Sequence, residues 1–372
     1  MKMAGLYIHI PFCRSRCIYC GFYSTTGLEL RQRYVEAVCK EMSLVCNDTP
    51  IKTIYLGGGT PSQLTISQLH QIMEAIYIYN KVEDDAEITI ECNPDDVTGD
   101  FAKELGCLPF NRVSMGAQTF DDQRLHFLHR RHTSSQVFDA VERLRNSGIQ
   151  NISVDLMYGF PEETLSEWEK DMEDALSLET EHLSAYCLMI EENTPLYEQL
   201  KVKSEKYTID EELERQMYES LIDRLTAAGF EHYEISNFAR PGFRSRHNSC
   251  YWDGTPYIGI GAAAHSYDIR SRSWNVADIK QYMEGMEQNK RIYEEELIDD
   301  NTRYNDIVTV ALRTREGLSL NLLSEKHKNY CLENAKRFME DGLLHINNHQ
   351  LALTKQGLFV SDMIMSELMW VD

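Results

Sequence analysis

The stretch Pro11-Phe-Cys13-Arg-Ser-Arg-Cys17-Ile-Tyr-Cys20 places three cysteines, separated by three and then two residues, directly after a segment that alternates like a β-strand. A loop of this length can wrap three irons of a 4Fe-4S cube and leave the fourth iron without a protein ligand. A structural zinc site usually needs four ligands, and no fourth Cys or His follows at a matching spacing, so zinc is the weaker alternative. The loop therefore predicts an iron–sulfur cluster held by Cys13, Cys17 and Cys20.

Around this loop, segments with the composition of strands alternate with segments of helical periodicity. The strand candidates are residues 6–10, 51–56, 87–91, 112–115, 152–157 and 182–188. The helix candidates are residues 30–45, 66–76, 134–147 and 166–177. A strand followed by a helix, repeated about six times, predicts an α/β fold built as a parallel barrel or part of one. The polar clusters of the sequence follow strand ends, where barrel proteins place their sites.

Chain length and pattern predict more than one domain. At 372 residues the chain exceeds the ~250 residues of a barrel, which leaves room for a smaller module. We expect the barrel over residues 1–235, a connecting region over 236–300 and a small α+β winged-helix-like domain over 301–372. The last assignment follows from the order helix, helix, hairpin and final helix. Because its second helix and hairpin are poor in Arg and Lys, we expect a packing module and no nucleic-acid partner.

Composition narrows the class of protein further. The formal net charge of −22 predicts a surface that repels nucleic acid and anionic lipid. The first residues lack the basic start and long apolar run of a signal peptide, and no segment approaches the ~20 apolar residues of a spanning helix. We therefore expect a cytoplasmic protein with no transmembrane segment, in which the ten cysteines stay reduced.

The spacing of the cysteines, with Tyr19 before the third, resembles the signature of the radical S-adenosylmethionine (SAM) superfamily. The resemblance implies a partial (β/α)6-type barrel and two cofactors, a 4Fe-4S cluster and SAM. In that superfamily the methionine group of SAM chelates the open iron, and an electron from the cluster cleaves SAM to give a 5′-deoxyadenosyl radical. The turn Gly57-Gly-Gly-Thr-Pro61 matches the superfamily's site for the SAM methionine, where glycines let backbone carbonyls approach an ammonium group.

Five motifs extend the resemblance to the oxygen-independent coproporphyrinogen oxidase group, over nearly the whole chain. They are Tyr7-Ile-His-Ile-Pro-Phe-Cys13, Gly58-Gly-Thr-Pro-Ser62, Ile90-Glu-Cys-Asn-Pro94, Ser114-Met-Gly-Ala-Gln118 and Asp155-Leu-Met-Tyr-Gly-Phe-Pro161. Carried over by motif, the residues that would contact cluster-bound SAM are Tyr7, Gly58 and Glu91. Those that resemble the lining of a second SAM site in the oxidase are Tyr19, Gly59, Thr60, Gln118, Arg130 and Asp155. The polar side chains among them could also be ordinary strand-end groups.

Two features resemble the heme chaperone (HemW) branch of this group more than the oxidase. The oxidase has a further cysteine two places after the third and a longer N-terminal arm, whereas this chain has Phe22 in Cys20-Gly-Phe-Tyr-Ser24, as the chaperones do. His247-Asn-Ser-Cys-Tyr-Trp252 matches the HNxxYW motif associated with heme in that branch. Since imidazole is a common axial ligand of heme iron and aromatic rings pack on porphyrins, we expect an exposed His247 to bind heme. Cys250 and His265 are the alternative ligands.

The leading hypothesis is a heme chaperone that binds a 4Fe-4S cluster, SAM and heme and delivers heme to acceptor proteins. The alternatives are an oxidase that decarboxylates coproporphyrinogen III to protoporphyrinogen IX and a radical SAM enzyme that acts on heme itself. Phe22 disfavours the oxidase, and no catalytic residue is assigned. Implied partners are heme, its acceptor proteins and, if SAM is cleaved, an electron donor such as a flavodoxin or a ferredoxin. Heme delivery would bring this cytoplasmic protein to the periphery of the membrane.

Overall fold

The first half of the chain folds as strands that alternate with helices. The computed structural model describes residues 4–46, 49–192, 194–202 and 210–371. The strands are β1 (Ala4–Ile10), β2 (Pro50–Gly58), β3 (Lys81–Cys92), β4 (Arg112–Gln118), β5 (Asn151–Tyr158) and β6 (His182–Cys187). The helices are α1 (Arg31–Val45), α2 (Ile66–Tyr79), α3 (Gly99–Leu105), α4 (Asp122–Phe127), α5 (Ser134–Asn146) and α6 (Leu165–Ser177). The predicted strands and helices are all present, and α3 and α4 are additional short helices.

The six strands lie side by side in chain order and run parallel, as predicted for a radical SAM barrel. Side chains alternate between the two faces of each strand. On β4, Val113 and Met115 are buried in the apolar core, while Arg112 and Ser114 belong to the opposite, polar face. One face of the sheet therefore packs on the helices and the other lines a polar interior.

Side-chain caps fix where the helices begin. Thr65 caps α2 and Thr164 caps α6, and each forms a capping box with the Gln or Glu three residues later. The indole of Trp168 in α6 is fully buried, and its Nε1 donates to the Met217 carbonyl across 3.0 Å. The helix layer is thereby locked to the chain that follows the barrel.

After β6 the chain extends the same sheet at both edges. The elements are α7 (Pro195–Val202), α8 (Glu211–Ala227), β7 (Glu231–Glu234), β8 (Asn237–Ala239), α9 (Arg246–Asp253), β9 (Tyr257–Ile260), β10 (His265–Tyr267), β11 (Ser271–Asn275), α10 (Ile279–Glu287) and β12 (Tyr293–Leu297). Strand β8 pairs antiparallel with β6, and β9 pairs parallel with β1 at the opposite edge. Among the described residues, strands β1 to β12 thus form one sheet, and β13, β15 and β14 form a second, smaller sheet. Residues 236–300 were expected to connect two domains, and in the structure they contribute strands to the sheet of the barrel domain.

The C-terminal residues form a small α+β unit with a core of its own. Its elements are α11 (Asp300–Ala311), β13 (Leu318–Ser319), α12 (Glu325–Glu340), β14 (Leu344–Asn347), β15 (Gln350–Leu353), α13 (Lys355–Leu358) and α14 (Ser361–Leu368). The order of helices and hairpin is the one predicted for a winged-helix-like domain. Arg313 Nη2 lies 2.8 Å from Oε1 of the buried Glu234, which attaches the unit to the barrel. No helix within the described ranges combines the length and the apolar character needed to cross a membrane.

Candidate cluster and cofactor site

A cavity of about 450 Å³ opens at the carboxyl ends of the parallel strands, and we call it the cluster cavity. Cys13, Cys17 and Cys20 all line it, and each is a free thiol. Thr60 Oγ1 donates to Cys13 Sγ across 3.6 Å, and Arg130 Nη1 donates to Cys17 Sγ across 3.6 Å. Hydrogen bonds and a nearby cation stabilise the thiolate, which is the form that binds iron. The three predicted cluster ligands are therefore brought together.

Backbone hydrogen bonds hold the cysteine loop at this place. Thr25 N donates to the Pro11 carbonyl across 2.7 Å, and Cys13 N donates to the Thr25 carbonyl across 2.9 Å. Inside the loop, Ile18 is buried in an apolar cluster with Leu128 and other residues. The thiols therefore line the cavity from a loop that is attached to the barrel at its ends and in its middle.

The thiols do not converge on a single metal ion. Among the described residues, no three His, Cys, Asp or Glu side chains are grouped as ligands of one ion. Tetrahedral zinc needs ligands that meet at ~2.0–2.3 Å from one point, whereas a cube needs one thiolate for each of three separate irons. Burial raises the pKa of the Cys13 and Cys20 thiols, so both depend on a bound metal to stabilise the thiolate. Three thiols around one cavity are the donor set that a 4Fe-4S cluster with one open iron requires.

The glycine turn after β2 is required by the backbone of the cysteine loop. A Cβ atom at Gly59 would lie 2.8 Å from the Pro11 carbonyl carbon and 2.9 Å from the Phe12 nitrogen. Gly58 has a φ of 112°, which favours glycine, and its N–H donates to Glu91 Oε2 across 3.0 Å. Both glycines and Thr60 line the cluster cavity. The turn thus positions the cysteine loop and the Glu91 side chain. The approach of its backbone to SAM stays a prediction.

Strands β3 and β5 each place one carboxyl group in the same cavity, which Glu191 also lines. Glu91 Oε1 accepts from the Tyr55 hydroxyl across 2.7 Å, and burial raises the Glu91 pKa to about 7. Asp155 Oδ2 accepts from Ser114 Oγ across 3.3 Å, and burial raises the Asp155 pKa as well. Burial disfavours the ionised form unless a cation compensates it. Both carboxyl groups are therefore placed to bind a positively charged ligand.

The remaining residues carried over for SAM also meet in the cluster cavity. Arg130 Nη2 donates to the Gly116 carbonyl across 2.6 Å and to Asn93 Oδ1 across 2.8 Å, while its buried Nε has no hydrogen-bond partner among the described residues. Gln118 has a φ of 71°, a strained value for a residue with a side chain. Tyr19 completes the set. An unpaired buried donor costs about 1–3 kcal/mol, so the Arg130 site favours a polar ligand.

Tyr7 is the predicted SAM contact that does not line the cluster cavity. Its ring centroid lies 6.3 Å from that of Tyr55 and 6.3 Å from that of His247. Its hydroxyl lies 3.0 Å from Nδ1 of His9. Burial raises the Tyr7 pKa far above its ordinary value, so the hydroxyl stays neutral. Tyr7 supports the wall of the cavity through Tyr55, and its contact with SAM stays a prediction.

The expectation of an exposed His247 is wrong, because the residue is only 1% exposed. Its Nδ1 lies 2.9 Å from Thr53 Oγ1 and its Nε2 lies 3.0 Å from the Tyr251 hydroxyl. Its ring stacks on Tyr55 with the centroids 5.1 Å apart, and burial lowers the His247 pKa to about 3. Both ring nitrogens are thus engaged inside the protein. The physical reason is that α9 packs this face of its first turn against β2, which leaves no ring nitrogen free for heme iron.

The last two residues of the HNxxYW motif line a second cavity, of about 690 Å³, which we call the aromatic cavity. Its lining includes Tyr251, Trp252, Tyr257, His265, Tyr267 and Arg303. Cys250 also reaches it, but this residue is buried and its thiol donates to the Arg246 carbonyl across 3.3 Å. His265 is exposed, and no hydrogen bond to its ring nitrogens occurs in the described part of the chain.

Sequence reasoning missed several residues that complete the cluster cavity. Tyr55, Asn93 and Ser114 hold the side chains of Glu91, Arg130 and Asp155. The sequence contains a signal for Tyr55 and Ser114, because polar residues recur at every second position near the ends of β2 to β6. Such a period of two marks the sheet face that is turned toward the interior of a barrel.

Comparison with known proteins gives the family. A sequence model of the radical SAM superfamily matches residues 7–175, and one of the HemN C-terminal domain matches residues 298–360. The heme chaperone HemW of Lactococcus lactis is 33% identical, over 100% of this chain and 98% of the relative. The heme chaperone HemW of Bacillus subtilis is 36% identical, over 95% of this chain and 96% of the relative.

A solved structure supports the fold over both parts of the chain. Coproporphyrinogen III oxidase (HemN) from Escherichia coli, described as a radical SAM enzyme, matches with a TM-score of 0.85 and 22% identity, over 99% of this chain and 90% of that chain. At this identity the likeness concerns the fold alone. The sequence relatives, in contrast, exceed 30% identity over nearly their full lengths. The chain therefore belongs to the heme chaperone HemW family of radical SAM proteins.

Proposed function

We propose that this chain is a heme chaperone that holds a 4Fe-4S cluster and SAM in the cluster cavity, binds heme elsewhere and delivers it to acceptor proteins. The observation that carries the proposal is the position of α9. Asn248 of its HNxxYW motif lines the cluster cavity, while Tyr251 and Trp252 of the same motif line the aromatic cavity. One short helix therefore stands between a site for thiolate-bound iron and a site for a flat apolar ligand.

Cys13, Cys17 and Cys20 would hold the cluster. When bound, the cluster and SAM supply radical chemistry that side chains lack. Around them the chain supplies charge: the carboxyl groups of Glu91 and Asp155 and the guanidinium of Arg130 line one cavity. Groups of both signs in one cavity suit the methionine end of SAM, which carries an ammonium and a carboxylate. This complementarity supports SAM as the second ligand.

Two observations favour the chaperone over the oxidase. Two relatives that match along nearly their whole lengths are named heme chaperones. Phe22 lines the cluster cavity and is 70% exposed, where the oxidase group would place a further cysteine. An apolar ring at this position supplies neither a ligand nor a thiol to the cavity. A cytoplasmic location, an approach to the membrane during delivery and a flavodoxin or ferredoxin as electron donor are further parts of this proposal.

One anaerobic experiment tests the proposed function against its alternatives. The reconstituted protein is incubated with SAM, a reductant and either heme or coproporphyrinogen III, and all products are analysed. We expect heme to be bound and recovered unchanged, and coproporphyrinogen III to persist. Formation of protoporphyrinogen IX would restore the oxidase, and a modified heme would favour an enzyme acting on heme. Failure of the wild-type protein to bind heme would refute the chaperone function.

A further inference from the structure

The aromatic cavity lies where the outer strands of the large sheet face α11 of the C-terminal unit. Its volume of about 690 Å³ falls within the ~300–1,000 Å³ of small-molecule and cofactor sites. Three tyrosines form a continuous wall: the ring centroids of Tyr251 and Tyr257 are 4.8 Å apart, and those of Tyr257 and Tyr267 are 6.0 Å apart. Tyr251 meets Tyr257 edge to face at 83°, and the rings of Tyr257 and Tyr267 are inclined by 32°, so the wall offers a conjugated ligand both ring faces and ring edges.

His265 is the histidine among the residues that line this cavity. Its ring stacks on Trp274 with the centroids 5.9 Å apart, which restricts the orientations of the imidazole. Neither ring nitrogen is engaged in a hydrogen bond with any residue that the structure describes. Burial lowers the His265 pKa, so the neutral imidazole that coordinates metals is present at neutral pH. His247 differs in the first respect, because both of its ring nitrogens have partners inside the protein.

The backbone that carries His265 is fixed from two sides. Glu41 Oε2 accepts from Gly261 N across 2.8 Å and from the Tyr282 hydroxyl across 2.7 Å, which anchors the loop before His265. A Cβ atom at Gly259 would lie 2.0 Å from the His265 carbonyl oxygen. The close approach of β9 to the His265 backbone therefore requires glycine at position 259. Metal ligands are most effective when the surrounding structure holds them in place before binding. His265 meets this condition.

Polar groups without partners complete the lining. Arg303, in the first turn of α11, is exposed and has no ion pair among the described residues, whereas Arg272 beside it is paired with Asp306. Trp252 Nε1 and Gln350 Oε1 are buried without a hydrogen-bond partner in the ranges that the structure describes. Unsatisfied polar atoms are costly, and a bound ligand or water relieves that cost. An iron macrocycle with anionic side arms matches the tyrosine wall, Arg303 and His265. Of the carboxylates in the lining, Asp306 is paired with Arg272 and Glu316 with Arg244.

We propose that heme binds in the aromatic cavity, with His265 as the axial ligand of its iron and Arg303 as the partner of a propionate. The inference rests on the proposed function and specifies the heme site within it. It also gives His247 a different part: this residue lines neither cavity, and its Nε2 holds the Tyr251 hydroxyl at 3.0 Å. His247 is therefore a positioning residue, which acts through the tyrosine of the same motif.

Heme titration, followed by absorption and by electron paramagnetic resonance of the ferric state, tests the ligand. The wild-type protein and the control His345→Ala, which alters an exposed histidine on β14 outside the cavity, should share a histidine-ligated spectrum. His265→Ala should lose this spectrum and bind heme about tenfold or more weakly, and free imidazole should restore the spectrum. An unchanged spectrum in His265→Ala would overturn the assignment while heme binding, and with it the proposed function, stood. A wild-type protein that binds no heme would refute the proposed function itself.

A second comparison isolates the propionate contact. Arg303→Gln should weaken heme binding about tenfold, because it removes the cation without removing a hydrogen-bonding side chain. The same variant should bind heme dimethyl ester as the wild type does, since its propionates carry no charge. Arg270→Gln, which alters an exposed arginine outside the cavity lining, is the matched control. An equal loss for both ligands, or no loss for heme, would contradict the role of Arg303.

Discussion

The Nε2 atom of His247 lies 3.0 Å from the hydroxyl of Tyr251, one helical turn further along α9. On the opposite side of the ring, Nδ1 lies 2.9 Å from Thr53 Oγ1 of β2. The same ring stacks on Tyr55, whose hydroxyl donates to Glu91 in the cluster cavity. A continuous series of contacts therefore runs from the cluster cavity through His247 to the wall of the aromatic cavity.

Replacing His247 should make the stability of the protein less sensitive to acid. Burial lowers the His247 pKa to about 3 in the folded protein, whereas an unfolded chain has the ordinary value of ~6.5. Between these values the unfolded state binds a proton that the folded state does not, so stability falls as the pH falls, by up to ~1.4 kcal/mol per pH unit. Urea unfolding at pH 7, 6 and 5 should show a shallower loss in His247→Gln than in the wild type. Equal slopes would contradict a buried, neutral His247.

A side chain at Gly59 should damage the cysteine loop. Its Cβ would approach the Pro11 backbone to 2.8 Å, and relieving such a contact costs about 1–3 kcal/mol. Gly59→Ala should therefore bind less iron and sulfide after reconstitution. Gly99→Ala is the matched control, because nothing lies within 4 Å of its added Cβ. The same cluster content in both variants would show that the turn tolerates a side chain.

Binding of SAM to the cluster-loaded protein should strengthen as the pH rises from 6 to 8. Burial raises the Glu91 pKa to about 7, so this carboxyl group changes from mostly protonated to mostly ionised over that interval. The ionised form attracts a cationic ligand, and the gain reaches about tenfold at most. Calorimetry on Glu91→Gln should show weaker binding at pH 8 and little dependence on pH. A pH dependence that persists in this variant would assign the effect to another group, such as Asp155.

Much of the fold could be predicted because its signals are local. Buried parallel strands are short, β-branched and apolar, and four of the six, β1, β2, β4 and β5, are followed by a helix of clear periodicity. The edge strands lack such signals: β12 reads Tyr-Glu-Glu-Glu-Leu and is exposed along its length. Strand β9 is recognisable only by its pairing, which brings Tyr257 beside Gly5. Pairing between distant segments is decided by tertiary structure, and a single sequence does not reveal it.

The contrast between local signals and distant contacts also separates the cluster cavity from the aromatic cavity. The cysteine loop and the glycine turn are compact motifs, and the cavity they share was anticipated from their positions after strands. The burial of His247 depends on Thr53 and Tyr55 of a distant strand. The HNxxYW motif does not reveal these contacts, so the motif alone led to the wrong expectation that His247 is exposed. The aromatic cavity joins α9, β10 and α11, and Arg303 has no local signal that links it to His265.

The cluster and heme are proposed to occupy separate cavities on either side of α9. The most direct test measures iron, sulfide and heme in the same anaerobic preparations of the wild type and of a variant with Cys13, Cys17 and Cys20 all changed to Ala. We predict about four sulfides and one heme per wild-type chain, and a variant that retains no sulfide yet binds heme with wild-type affinity. Loss of heme binding together with the cluster, in a variant whose circular dichroism shows an intact fold, would contradict the account.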